Sequence, residues 1–222
     1  MDVDRRKLIK GGLLSSLAAL ATVSSAKAEI LNSCKLTATQ PEGPFYPVND
    51  QLDKDGDLVW LKGRNVRAKG ELILLKGVVR DQNCRPIKNA LVDIWQACAT
   101  GKYNHPGDPS PAKLDPNFAY WGQVRTNDKG EYQFRTIKPG SYEATDTWER
   151  PPHIHMKVHL RGHVELITQV YFSEDVLLNR RDRILRELGK EDQNNVIIDF
   201  KPVQHMGEKH RMGSFDVTLQ AM

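Results

Sequence analysis

Arg150-Pro151-Pro152-His153-Ile154-His155-Met156-Lys157-Val158-His159-Leu160, continued by Arg161-Gly162-His163 and then Val164 to Phe172, is the stretch that decides the fold. His153 to Leu160 and Val164 to Phe172 are β-forming runs on either side of a glycine-bearing turn, which predicts a hairpin. Side chains two apart on a strand share a face and stand roughly 6–7 Å apart at their bases. His153 and His155 are therefore presented together, and two such imidazoles can converge on one metal ion at about 2.0–2.1 Å each. A bare HxH pair is weak evidence. It gains weight from Tyr103 in Gly-Lys-Tyr and Tyr142 in Pro-Gly-Ser-Tyr, each at a strand or turn edge from which a phenol can reach the same point.

Working outward, short strands and turn signals alternate. Leu72 to Val79 and Ala90 to Gln96 read as strands. Gln123 to Thr126 and Tyr132 to Thr136 read as a hairpin around Asn127-Asp128-Lys129-Gly130, and Val196 to Phe200 and Phe215 to Leu219 close the series. The pattern predicts an all-β fold, an antiparallel β-sandwich with long loops and one or two peripheral helices. One helix is expected from a Ser173 cap through Val176, Leu177, Ile184, Leu185 and Leu188 to a stop at Gly189. Residues 104–117, rich in Pro, Asp and Asn, read as a long surface loop.

The first 28 residues read as an export signal. Arg5-Arg6-Lys7 is followed by an apolar run from Leu13 to Val23 and by Ala26-Lys27-Ala28, a small-x-small cleavage site. The paired arginines suggest the twin-arginine route, hence a periplasmic or secreted protein. The apolar run is shorter than the ~20 residues a membrane-spanning helix needs, so no span is expected in the mature chain. The leader carries Arg5, Arg6, Lys7, Lys10 and Lys27 against Asp2 and Asp4, so the formal charge of +4 falls to +1 without it. No basic field remains to recruit nucleic acid. Residues 29–70 read as an extended arm with loops, and 71–222 as the sandwich core. An exported chain can hold a disulfide. Cys34 with Cys84 is the favoured pair because both lie in loop-like sequence, whereas Cys98 follows a strand and is expected to be buried.

Two phenolates and two imidazoles make a hard, anionic donor set that suits ferric iron better than zinc. A phenol titrates near 10 and becomes a ligand at neutral pH only when a strong cation displaces its proton. Further motifs accompany these residues: Glu42-Gly43-Pro44-Phe45-Tyr46, Asp93-Ile94-Trp95-Gln96-Ala97, Leu114-Asp115-Pro116-Asn117-Phe118, Phe134-Arg135-Thr136-Ile137-Lys138-Pro139-Gly140 and Thr168-Gln169-Val170-Tyr171-Phe172. In this order they resemble the intradiol ring-cleavage dioxygenases, near the protocatechuate 3,4-dioxygenase and catechol 1,2-dioxygenase group. The resemblance implies a non-haem Fe(III) ion held by Tyr103, Tyr142, His153 and His155, with Tyr142 the ligand that leaves when substrate binds and accepts a catechol proton. It implies that Arg150 stabilises charge on the substrate ring and that Gln169 lies near the substrate pocket. The implied reaction inserts both atoms of O2 into a small aromatic diol between its two hydroxylated carbons, giving a muconate-type diacid, in a homo-oligomeric enzyme. Ser141-Tyr142-Glu143-Ala144 lacks a tryptophan found in some protocatechuate enzymes, which leaves the particular catechol open.

The sequence leaves bland readings beside these. The strand pattern is also that of transthyretin-like binding modules, which generally lack the second tyrosine and the HxH pair together. A zinc hydrolase using His153, His155 and a carboxylate is a third reading. Trp95 and Tyr132 read most simply as core aromatics, Trp121 as core or pocket, and Arg150 as a possible partner of Glu149 or Asp146. Asp53 to Asp57 reads as a solvated turn.

Overall fold

A computed structural model of the chain describes residues 33–51 and 53–222; the expected leader lies outside them. In chain order the elements are β1 (Leu72–Asp81), β2 (Leu91–Trp95), β3 (Trp121–Arg125), β4 (Glu131–Ile137), β5 (Tyr142–Thr145), β6 (Trp148–Arg150), β7 (His153–His159), β8 (Leu166–Phe172), α1 (Val176–Arg181), α2 (Lys190–Val196), β9 (Ile197–Ile198), β10 (Lys201–His205), β11 (Glu208–Ser214) and β12 (Val217–Leu219).

One sheet is built around β1, with β4 antiparallel on one side, β11 and β12 on the other, and β10 beyond β11. The second runs β3-β2-β7-β8-β9. The sandwich is mainly antiparallel, as the sequence predicts, but β11 and β12 lie parallel to β1 and β9 parallel to β8. Ile73, Leu75 and Phe134 of the first sheet and Val92, Ile94, Ile154, Met156, Val158 and Val170 of the second are fully buried in one core. Burying each such side chain contributes about 1.5–3 kcal/mol.

The expected β7–β8 hairpin forms, with His153 opposite Tyr171 and His155 opposite Gln169. The hairpin expected over 123–136 does not. β3 pairs with β2 and β4 pairs with β1, so the Asn127–Gly130 turn carries the chain from one sheet to the other. The helix expected from Ser173 to Gly189 is also corrected. It is broken into the six residues of α1 and a 3-10 turn at Leu185–Glu187, and Gly189 opens α2 instead of ending a helix. The break falls at Asp182, whose backbone is extended (φ −65°, ψ 125°). Val176 and Leu177 are exposed, so the expected apolar face does not exist there.

The arm starting at Ser33 is fastened to the sandwich. Cys34 is disulfide-bonded to Cys84, as expected, and Cys98 is free and buried. Gln40 N–H donates to the Ile167 carbonyl at 2.8 Å, and Thr37 pairs with Thr218. The arm thus runs beside β12 and then β8, and Lys157 on the outward face of β7 donates to Glu42 at 3.0 Å. Among the described residues no helix is long and apolar enough to cross a membrane.

Candidate active site

Strand alternation creates the site. On β7, Ile154, Met156 and Val158 point into the core, so His153, His155 and Lys157 share the opposite face. That face would be open in a bare sandwich. Here the arm, the loop carrying Tyr103 and the β5–β6 hairpin cover it, and both histidines are 2% exposed. Neighbouring strands add Trp95, paired in register with His155, and Gln169 and Tyr171 from β8. A second apolar cluster of Phe45, Trp95, Ala97, Tyr103 and Trp121 walls this side of the sheet.

Two glycines bring the tyrosine-bearing segments together. A Cβ on Gly101 (φ +79°) would lie 2.1 Å from the Ser141 carbonyl oxygen, and one on Gly140 would lie 2.5 Å from the Gly101 nitrogen. Only glycine permits this backbone approach. The ring centroids of Tyr103 and Tyr142 end 5.5 Å apart. Asp108 accepts the Tyr103 backbone N–H at 2.7 Å and fixes the loop.

The polar atoms converge. Nε2 of His153 lies 3.1 Å from Nε2 of His155 and 3.3 Å from the Tyr103 hydroxyl. The Tyr142 ring borders His153 at a centroid distance of 5.8 Å. Nδ1 of His153 donates to the Pro151 carbonyl at 2.6 Å, which fixes the tautomer and leaves a lone pair on Nε2. The His155 ring stacks on Trp95 at 4.8 Å and 11°. Burial, reinforced by the positive charge of Arg150, holds both imidazoles well below their ordinary pKa, hence neutral. Burial holds the Tyr103 phenol well above its ordinary value, with the neighbouring Tyr142 adding to the shift. Burial also raises Tyr142, while the charge and hydrogen bonding of Arg150 oppose it.

This donor set fits a hard cation. The His153 nitrogen, 3.1 Å from the His155 nitrogen and 3.3 Å from the Tyr103 oxygen, is spaced from both as donors each about 2.0–2.2 Å from one shared ion would be. Neutral imidazoles are ready to bind, and a cation would release the buried phenol proton that burial otherwise holds. Among the described residues no three His, Cys, Asp or Glu side chains gather to hold a metal. The zinc-hydrolase reading therefore lacks its carboxylate.

A family model described as "Dioxygenase" matches residues 41–221. The chain is 37% identical over 184 residues to the protocatechuate 3,4-dioxygenase beta chain of Burkholderia cepacia, covering 80% of this chain and 76% of that one. It belongs to the intradiol ring-cleavage dioxygenases. The fold of the dioxygenase domain of a carbohydrate-binding fusion from Streptomyces sp. SirexAA-E matches with a TM-score of 0.60 at 26% identity, over 85% of this chain and all of that one. An intradiol ring-cleavage dioxygenase from Tetranychus urticae matches the fold at 0.64, with 24% identity, over 84% and 95% of the two chains. The binding-module reading is thereby set aside: this chain is an intradiol dioxygenase.

The six residues singled out from the sequence fall into two groups in this dioxygenase. Tyr103, His153 and His155 meet directly, with Tyr142 beside them. Arg150 and Gln169 form a second, linked layer. Arg150 is 3% exposed and donates from Nη2 to Gln169 Oε1 at 2.7 Å and to the Tyr171 hydroxyl at 3.2 Å. Its acid is neither Glu149 nor Asp146 but Asp182, which accepts from Nε at 2.7 Å. Gln169 is engaged at both ends, since its Nε2 donates to the Pro41 carbonyl at 2.8 Å. Trp95 is a buried core aromatic, as expected, and its ring also forms the stacking wall of His155. Trp121 donates its Nε1–H to Asp93, which also accepts from Tyr46 at 2.8 Å. Asp182, Tyr171, Gln40 and Asp108 escaped sequence reading. Tyr171 and Gln169 share the β8 face opposite the histidines, and that alternation was the available signal.

Proposed function

We propose that this enzyme is a non-haem Fe(III) intradiol dioxygenase that cleaves a small catechol-type diol between its hydroxylated carbons, with Tyr103, Tyr142, His153 and His155 holding the iron. The observation that carries this reading is that the His153 imidazole nitrogen lies within 3.3 Å of both the His155 nitrogen and the buried Tyr103 hydroxyl, with the Tyr142 phenol alongside. Ferric iron in such a set supplies the Lewis acidity that draws electron density from a bound aromatic diol toward reaction with O2. The protein side chains do the rest. Tyr103 is 3% exposed whereas Tyr142 is only half-buried, so Tyr142 is the phenol that incoming substrate reaches, and its oxygen, deprotonated while it holds the cation, would take up a diol proton to become the neutral phenol. The Pro151 carbonyl aims His153, and Trp95 pins the plane of His155. Phe45, 4.7 Å from the Tyr103 ring, helps exclude water from one side. The Arg150 guanidinium, held by Asp182, Gln169 and Tyr171, is a preorganised cation for negative charge on the ring, a device worth several kcal/mol in a dry site. Gln169 acts through Arg150, whose Nη2–H its Oε1 accepts at 2.7 Å.

The test is O2 uptake by purified protein with catechol, protocatechuate and hydroxyquinol, followed with the ultraviolet spectrum of the product. A ring-opened diacid from at least one of them supports the reading, and no uptake by iron-loaded protein with any of the three overturns it. Export by the twin-arginine route belongs to the same proposal, supported by Arg5-Arg6, the apolar run, Ala26-Lys27-Ala28 and the Cys34–Cys84 bond. Accumulation in the periplasm that stops on Arg5→Lys, Arg6→Lys substitution is its check.

A further inference from the structure

Asp182 stands outside every motif that marks this family in the sequence, yet its carboxylate is completely buried. One oxygen accepts from Arg150 Nε at 2.7 Å; the other accepts from the backbone N–H of Leu185 at 2.8 Å. A carboxylate leaves water only at a high cost unless it is paired and hydrogen-bonded, and here both oxygens are engaged. The chain departs from helical geometry at this residue, at the end of α1.

The guanidinium is held at two nitrogens, by Asp182 at Nε and by Gln169 and Tyr171 at Nη2. Contacts at two nitrogens fix a planar fork in rotation, which one contact does not. Gln169 and Tyr171 sit on the sheet, and Tyr171 in turn donates to Gln40 of the arm at 3.0 Å. Asp182 grips from outside the sandwich. Its neighbour Arg183 stacks over the Trp148 ring at 5.2 Å and donates to Thr147 at 3.3 Å. The Asp182-Arg183 pair therefore fastens β6 and the tip of the β5–β6 hairpin, the element that carries both Tyr142 and Arg150 and belongs to neither large sheet.

We propose that Asp182 is a positioning residue for the dioxygenase reaction: it holds the Arg150 guanidinium, and through it the β5–β6 hairpin, in register with the His153–His155 face. The proposal rests on the role assigned above to Arg150. A misplacement of about 1 Å in such a charge can cost on the order of 100-fold in rate.

The test compares wild type, Asp182→Asn, Arg150→Gln and the double variant, using whichever of catechol, protocatechuate and hydroxyquinol the wild type consumes fastest. For Asp182→Asn, kcat should fall about 10–100-fold, with KM within about threefold and iron content and visible spectrum unchanged. Adding Asp182→Asn to Arg150→Gln should cost less than about threefold more, because a residue that acts through another has nothing left to position. A second readout needs no iron. In metal-free protein the Arg150 Nε–H should be protected from solvent exchange, and Asp182→Asn should remove that protection. If Asp182→Asn does not fold, Asp182→Glu keeps the charge and carries the test, with kcat expected to fall at least about fivefold because the longer arm shifts the fork. Wild-type kcat in the variant that folds, its full penalty repeated in the Arg150→Gln background, or unchanged Nε–H protection overturns the Asp182 proposal. Wild-type activity of Arg150→Gln overturns the reading of Arg150 itself, and the Asp182 proposal with it.

Discussion

The two halves of the site are built differently. His153 and His155 sit on β7, the central strand of the second sheet, with β2 and β8 bonded along both edges and Ile154 and Met156 locked in the core between them. Tyr103 comes from a loop, and Tyr142 and Arg150 come from a two-stranded hairpin paired with no other strand among the described residues. The strand half is held by ladder bonds and core packing, so its geometry is set when the sandwich forms. The loop half is held by a few specific contacts: Gly101 and Gly140 at the backbone, Asp108 under Tyr103, and Asp182 under Arg150. Under the proposed ligand set, a rigid nitrogen pair facing phenols on more loosely held elements would let substrate displace one donor without disturbing the others.

Substitutions should separate the halves. His155→Ala should have the largest effect, because it removes a donor while Ile154 and Met156 still hold β7. O2 uptake should fall more than about 100-fold and iron content should drop to background by metal analysis, with the circular dichroism unchanged. Full iron retention would break the comparison. Tyr142→Phe should instead keep iron and fold, slow turnover by about 10–100-fold through loss of the proton acceptor and shift the visible band. An unchanged spectrum and rate would remove Tyr142 from the site.

Gly101→Ala tests how the loop half is held. A Cβ at this position meets the Ser141 carbonyl, and its positive φ disfavours any side chain. A cost of about 2–3 kcal/mol, read as roughly 5–10 °C in Tm, should come with loss of visible absorbance, since the Tyr103 and Tyr142 segments separate.

Glu174 should give the smallest effect. Partial burial raises its pKa, but hydrogen bonds from Arg211, its own backbone and Lys138 prevail and lower it from 4.5 to about 2. Lys138 lies just before the turn that leads to Tyr142. A carboxylate whose pKa is depressed on folding stabilises above its unfolded pKa and loses that contribution as pH falls through the folded value. Glu174→Gln should therefore lower Tm by only a few degrees at pH 7, as a partly exposed pair allows. The gap to wild type should close as pH drops from about 4.5 toward 2.

The same division explains what sequence reading reached. The β7 alternation shows in Ile154, Met156 and Val158, and it places His153 and His155 on one face without further information. Strands β5 and β6 were missed because Glu143, Thr145, Asp146 and Glu149 carry no apolar alternation in a hairpin that buries little. Strands β10 and β11 were missed because Lys201, Gln204, Glu208 and Lys209 belong to a polar edge. The Asn127–Gly130 turn is locally the same whether the chain doubles back or crosses between sheets, and only pairing with β1 decides that. Asp182 lies 32 residues from Arg150, on the segment read as a continuous helix. Its role arises only when the chain leaves the helix there and the carboxylate turns inward, which periodicity does not encode. Tyr103 and Tyr142 were found because glycines beside them marked the turns.

The central claim is that two phenols and two imidazoles hold a single ferric ion. Its most direct test is the visible absorption spectrum of purified, iron-loaded protein, measured with iron content per chain. One iron per chain and a red-to-brown tyrosinate charge-transfer band, lost together in His155→Ala and shifted in Tyr142→Phe, is the predicted result. A colourless protein with iron bound, or a band indifferent to Tyr103→Phe and Tyr142→Phe alike, would contradict it.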